Sequence, residues 1–230
     1  GCGGGLKAVE LYKRGYNLVL IERPGPNLAY AKAHIKHTER YASTGGDGVY
    51  FVELSFVEYD DAHASSIFSG IPDRVFQGAV VNSADVIEHV ALPHRLLALV
   101  RYLFRRGATT FVVSTPERHA HRGAAHMGPD PTGSNAQLWA WDEFVSLLAC
   151  SEIPGELHLQ WTQNYEGSGE WVTVLGVLTT MTDLQWPLDN TPQLPNIVHH
   201  GCPEALPVQE GNKEHERPHL KQGATSDTAI

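Results

Sequence analysis

Cysteine is scarce in this chain, with Cys2, Cys150 and Cys202 an odd number at wide spacings and without a metal-ligand pattern. That argues against a disulfide framework and against a zinc site, and it makes a reducing cytoplasm the default compartment. Positive charge is also short. Seventeen Lys and Arg stand against 26 Asp and Glu, a formal net charge of −9 at pH 7, and the densest arginine grouping is Arg101, Arg105 and Arg106. Such a balance repels a polyphosphate, so nucleic acid is not an expected partner. No run approaches the ~20 apolar residues that a membrane-spanning helix requires, so no membrane partner is expected either. The amino end, Gly1-Cys2-Gly3-Gly4-Gly5, has no initiator methionine, basic region or apolar signal core. No targeting signal is legible there, and the expectation is that the true start lies upstream. What remains, 230 residues with 42% apolar content, is enough for one soluble domain with a real core and a tail.

Along the chain the pattern alternates. Leu6, Val9, Tyr12 and Lys13 recur at helical spacing and Gly15 follows as a left-handed stop, which predicts a helix over residues 6–14. Leu18-Val19-Leu20-Ile21 is a strand apolar on both faces, as in a parallel sheet, ended by Glu22 and the Pro24-Gly25-Pro26 turn. Asn27 can cap a second helix running to about Tyr41, and a glycine-rich break precedes a strand over residues 49–54. Further strands are expected over residues 75–81 and 109–113, with a helix over 92–106 between them. This rhythm means an α/β fold with a mostly parallel, Rossmann-like sheet flanked by helices.

From Pro116 to Gln137 the rhythm stops, at the carboxyl end of a strand, where open α/β sheets keep their ligands; a lid or acceptor loop is expected. A helix over residues 140–150 and two strands, 157–164 and 170–179, joined by Glu166-Gly167-Ser168-Gly169, complete the domain as an antiparallel hairpin. Beyond about Asp183 proline, histidine, glutamate and glutamine dominate. The expected organisation is a domain over residues 1–182 and a disordered polar tail over 183–230.

The glycines of residues 1–5 lead directly into a helix, allowing a tight turn and close backbone approach by a ligand at a helix amino terminus. Glu22 ends the next strand seventeen positions after Gly5, where a carboxylate can accept both hydrogen bonds of a ribose diol. The alternative is a plain turn and a solvated strand end. A dinucleotide fold also competes, but the third glycine of G-x-G-x-x-G would fall on Leu6.

Glycine turn and acidic strand end together resemble the first two motifs of class I S-adenosylmethionine-dependent methyltransferases. Asp85-Val86-Ile87-Glu88-His89 resembles their DVIEH segment after the fourth strand. Ser114-Thr115-Pro116-Glu117-Arg118, Gly128-Pro129, Trp139 and Glu143-Phe144 resemble the STPER … GP … W … EF pattern of bacterial members. The resemblance covers roughly residues 1–180. It implies a seven-stranded sheet with its last strand reversed and its first strand missing from this chain. It also implies S-adenosylmethionine as cofactor, with Gly1, Gly3 and Gly5 along its methionine and ribose part and Glu22 on the ribose hydroxyls. Ser83 and Asp85 would lie at the cofactor's far side or at the acceptor. Where the pattern has a histidine four residues before its tryptophan, this chain has Asn135.

Methyl transfer from a sulfonium asks the protein chiefly to align the acceptor and exclude water. A hydroxyl acceptor gains from a base that titrates near neutrality, and His89, past the fourth strand, is the candidate catalytic residue. The plainer reading is that His89 caps or packs its helix. Asp85, Glu88 and His89 also resemble the metal-binding E-x-x-E-H of the O-methyltransferases of ubiquinone synthesis and of small-RNA 3′ ends. Those RNA enzymes complete the site with a histidine where Asn135 stands, so no metal is assigned. His119, His121, His126, Arg118 and Arg122 could recognise a polar acceptor or be solvated, while Trp139 and Trp141 could pack the lid or stack on a sugar. His199, His200 and His215 have no framework to hold a metal. The reading is therefore methyl transfer to a hydroxyl of a small molecule or glycan. The alternatives are an inactive cofactor- or partner-binding relative and a nicotinamide-dependent oxidoreductase, the latter lacking a Tyr-Lys or Cys-His hydride-transfer site.

Overall fold

The computed structural model describes residues 1–56, 59–118, 136–166 and 169–182, with backbone alone for residue 61 and residues 162–172. The expected lid, with His119, His121, Arg122, His126, Gly128, Pro129 and Asn135, and the tail from residue 183 lie outside the described residues.

Helix α1 (Leu6–Lys13) follows the glycine turn and buries Ala8 and Tyr12. Strand β1 (Leu18–Glu22) pairs in parallel with β2 (Val49–Glu53), Leu18 opposite Val49 and Glu22 opposite Glu53. Between them the expected single helix is two, α2 (Pro26–Lys36) and α3 (Glu39–Thr44). The break falls at Thr38, whose hydroxyl donates to the Ile35 carbonyl (2.7 Å) and accepts from Tyr41 N (3.2 Å), so this side chain closes one helix and starts the next. The start of α2 is set by Pro26 behind Gly25, not by an Asn27 cap. Helix α4 (Asp61–Ile67), which the sequence reading passed over, is capped by Asp60, whose carboxylate accepts from His63 N at 2.9 Å.

Strand β3 (Val80–Ala84) begins later than expected, because Asp73–Val75 is a 3-10 turn. It pairs in parallel with β4 (Thr110–Pro116), Ala84 opposite Ser114, and α5 (Pro93–Arg105) crosses between them with its apolar face buried. Helix α6 (Trp141–Ala149) precedes β5 (Glu156–Glu166) and β6 (Gly169–Thr179), the expected hairpin. Strand β6 runs antiparallel to β4, with Ser114 opposite Leu175. The strands thus form a parallel pair, β1-β2, and a four-stranded sheet in the order β3-β4-β6-β5. Among the described residues the two sheets are separate between β1 and β3. Val80, in what would be the middle of a continuous sheet, is 60% exposed.

One large core fills the space around α5, β4 and β6, including Leu97, Val100, Phe111, Val113, Phe144 and Val174, and Val19, Ile21 and Tyr50 pack against it. A smaller cluster of Ala8, Tyr12, Leu20, Ala31 and Ile35 joins α1 and α2 to β1. Among the described residues, no helix is long and apolar enough to cross a membrane. Cys2 is a free thiol.

Candidate active site

The ends of β1 and β3 and the glycine turn meet at one place. Cys2 N donates to the carbonyl of Ile21 in β1 (3.1 Å), and a Cβ built on Gly1 would stand 2.9 Å from Val86, two residues past β3. The turn closes on itself through Gly5 N to Cys2 O (3.1 Å) and is latched to α2 by His34, whose Nδ1 lies 2.7 Å from Gly4 O. Gly3 and Gly5 both have left-handed backbones, φ 53° and 77°, which glycine adopts without a steric penalty. Their surroundings differ. A Cβ on Gly3 would meet nothing within 4 Å, whereas one on Gly5 would collide with Ala31 of α2 at 2.8 Å. Gly5 therefore serves the packing of α1 on α2, and the open side of the turn is at Gly3.

Glu22, at the end of β1, is only 7% exposed, and its Oε2 accepts from Gly3 N at 2.7 Å. The charge-assisted bond ties the glycine turn to the acidic strand end, the two features that the sequence reading joined by spacing. The carboxylate acts in turn on Cys2, whose thiol is pushed above its ordinary value first by burial and then by Glu22.

Beyond β3, Ser83 is buried and its hydroxyl has no hydrogen-bond partner among the described residues. Asp85 is exposed, with φ 53°, so the chain turns sharply as it leaves the sheet. Glu88 and His89 lie in a 3-10 turn (Ile87–His89), not in an α-helical turn shared with Asp85. Asp85, Glu88 and His89 therefore do not share one helical face. Glu88 points inward at 2% exposure, with Oε2 unbonded among the described residues, while Asp85 and His89 are exposed. Burial pushes the Glu88 carboxyl up from its ordinary value, with Asp85 adding to the push and His89 opposing it. Among the described residues no three His, Cys, Asp or Glu side chains are grouped to hold a metal ion.

Two residues make contacts that the sequence reading did not foresee: Ser114, read only as part of a motif, and Arg118, read as a lid residue that recognises a polar acceptor or is solvated. Ser114, opposite Ala84 in the β3–β4 ladder, donates to Asp85 Oδ1 at 3.0 Å. Its signal was its place in the Ser114-Thr115-Pro116-Glu117-Arg118 run. Arg118, buried, grips Glu143 with two 2.9 Å bonds, and Glu143 also accepts from Ala140 N (3.1 Å) at the start of α6. Both ends of the expected lid are thus anchored to one ion pair. Trp141 stacks on Trp161 of β5, centroids 4.7 Å apart and planes 7° from parallel, while Trp139 is buried.

No protein-family model matches the chain, and no curated protein matches it. Solved structures do resemble it. The methyltransferase domain of bacterial CtHen1 superposes with a TM-score of 0.51 at 20% identity, over 78% of this chain and 87% of that one. A SAM-dependent methyltransferase from Methanosarcina mazei gives 0.52 at 15% identity, over 78% and 89%. Small RNA methyltransferase HEN1 gives 0.52 at 16% identity, over 78% of this chain and 22% of that one. Likeness at these identities is likeness of fold: the chain is built as these methyltransferases are built.

Proposed function

We propose that this chain is a methyltransferase domain that uses S-adenosylmethionine and methylates a hydroxyl on a small molecule or glycan. The observation that carries the reading is the 2.7 Å bond from Gly3 N to Glu22 at the mouth formed by the ends of β1 and β3. The residues present fit such a ligand. Gly3 leaves open space beside its backbone, and Oε1 of Glu22 makes no hydrogen bond among the described residues, so it is available to ribose hydroxyls. Gly1 and Gly3 would line the methionine and ribose part, Gly5 would hold the turn against α2, and Ser83 and Asp85 would bound the far side. When bound, the sulfonium supplies a methyl group already activated for transfer. The chain's own task is then alignment and exclusion of water. His89, exposed past β3, is proposed to accept the acceptor's hydroxyl proton.

The net charge of −9 supports a small or neutral acceptor over a polyanion. The HEN1 structure is by name that of a small RNA methyltransferase, so RNA belongs among the acceptors tested. Calorimetry with S-adenosylhomocysteine and with NAD tests the cofactor: binding of the first alone is expected, and binding of NAD alone would overturn the reading. Labelled-methyl transfer to a panel of phenols, glycans, amines and short RNAs tests the acceptor, with label expected on hydroxyl-bearing small molecules or glycans.

A further inference from the structure

Asp85 carries a left-handed backbone at φ 53° although it is not glycine, a conformation that L side chains adopt rarely and that local bonds must hold. The bonds that hold it come from one residue. Asp85 N donates to the Ser114 carbonyl (3.1 Å) and to the Ser114 hydroxyl (3.2 Å), and that hydroxyl donates back to Asp85 Oδ1 (3.0 Å). Ser114 is 8% exposed and sits in β4, which is paired on both sides, by β3 and by β6, so its hydroxyl is fixed by the sheet. The carboxylate of Asp85 is exposed, and its Oδ2 makes no hydrogen bond among the described residues. One oxygen is thus tied down and the other left without a hydrogen bond among the described residues, in the residue that precedes Val86, which lies against Gly1 of the glycine turn.

We infer that Ser114 is a positioning residue: through its reciprocal hydrogen bonds it holds Asp85 so that Oδ2 meets a hydrogen-bond donor of the S-adenosyl ligand. The inference rests on the methyl-transfer reading above. Without the Ser114 hydroxyl, Asp85 keeps its charge but loses the bond that selects one rotamer and one backbone conformation, so binding must restore that order.

The test is a double-mutant cycle read by calorimetry with S-adenosylhomocysteine. Ser114→Ala is expected to weaken binding about ten-fold, the scale of one hydrogen bond to a charged group. Ser114→Thr, which keeps the hydroxyl, is expected to stay within about two-fold of the parent, inside the spread of uncoupled changes. In an Asp85→Ala background, Ser114→Ala is expected to cost nothing further. If Ser114→Ala does not fold, Ser114→Cys, of similar shape and with a weaker donor, replaces it in the same cycle. Parent-like affinity in Ser114→Ala, or in Ser114→Cys where that replaces it, or losses at the two sites that simply multiply, would overturn the positioning role while leaving the methyltransferase reading intact. No binding by the parent chain would overturn both.

Discussion

A carboxyl group buried to 2% exposure with one oxygen unbonded, as in Glu88, favours its protonated form. Because the fold raises its titration point, the stabilisation is complete below the ordinary glutamate range and is lost as pH rises through the folded value. Glu88→Gln removes that dependence. Thermal melts across pH should show the variant at or above the parent near pH 7, with the advantage gone near pH 4; parallel curves would show that Glu88 is not strained by charge. At the ligand end, Glu22→Ala is expected to weaken S-adenosylhomocysteine binding by about 1 to 3 kcal/mol, since it removes charge-assisted acceptors and frees Gly3 N. Unchanged affinity by calorimetry would remove Glu22 from the site. His89→Ala is expected to lower turnover by about 10² to 10⁴ while cofactor affinity holds, because proton removal belongs to the transition state. A variant that loses melting temperature but keeps its turnover number would make His89 a packing residue.

Elements here are decided as much by single side chains as by periodicity. The apolar spacing of residues 27–41 supports one long helix, yet Thr38 prefers to bond the backbone on both sides and divides it. Thr38→Ala is therefore expected to cost about 1 kcal/mol in denaturant unfolding, as for a lost amino-terminal cap. A gain in stability would show that α2 and α3 fuse without penalty. The fourth strand shows the opposite failure. Val75, Ala79, Val80 and Val81 look like its body, but the ladder with β4 takes Val80–Ala84, including polar Asn82 and Ser83, and leaves Val75 in a 3-10 turn. Strand limits follow the partner's hydrogen bonds, which a single sequence does not display. The last hairpin was legible because its two strands adjoin and pair locally.

At the scale of the molecule, the break between β1 and β3 has a consequence for cooperativity. Strand β1 is paired on one side only and divides its side chains between the small cluster of α1 and α2 and the large core, whereas β4 is paired on both sides and packed in the large core. Regions with fewer buried contacts open at lower free energy. Native-state hydrogen exchange is expected to show the amides of Leu18–Glu22 opening well before those of Thr110–Pro116; one common opening energy would mean that the two sheets unfold as a unit.

The sequence by itself determined the alternation of helix and strand, the glycine turn before α1 and the acidic end of β1, because each rests on local periodicity or on backbone freedom that only glycine has. Only the tertiary structure decided that Gly5 faces α2 while Gly3 faces open space, that Glu88 turns inward while Asp85 turns out, and that Ser114 reaches Asp85 across 29 positions. These depend on which elements pack side by side. Residues brought together by sheet pairing share no spacing along the chain from which the contact could be read.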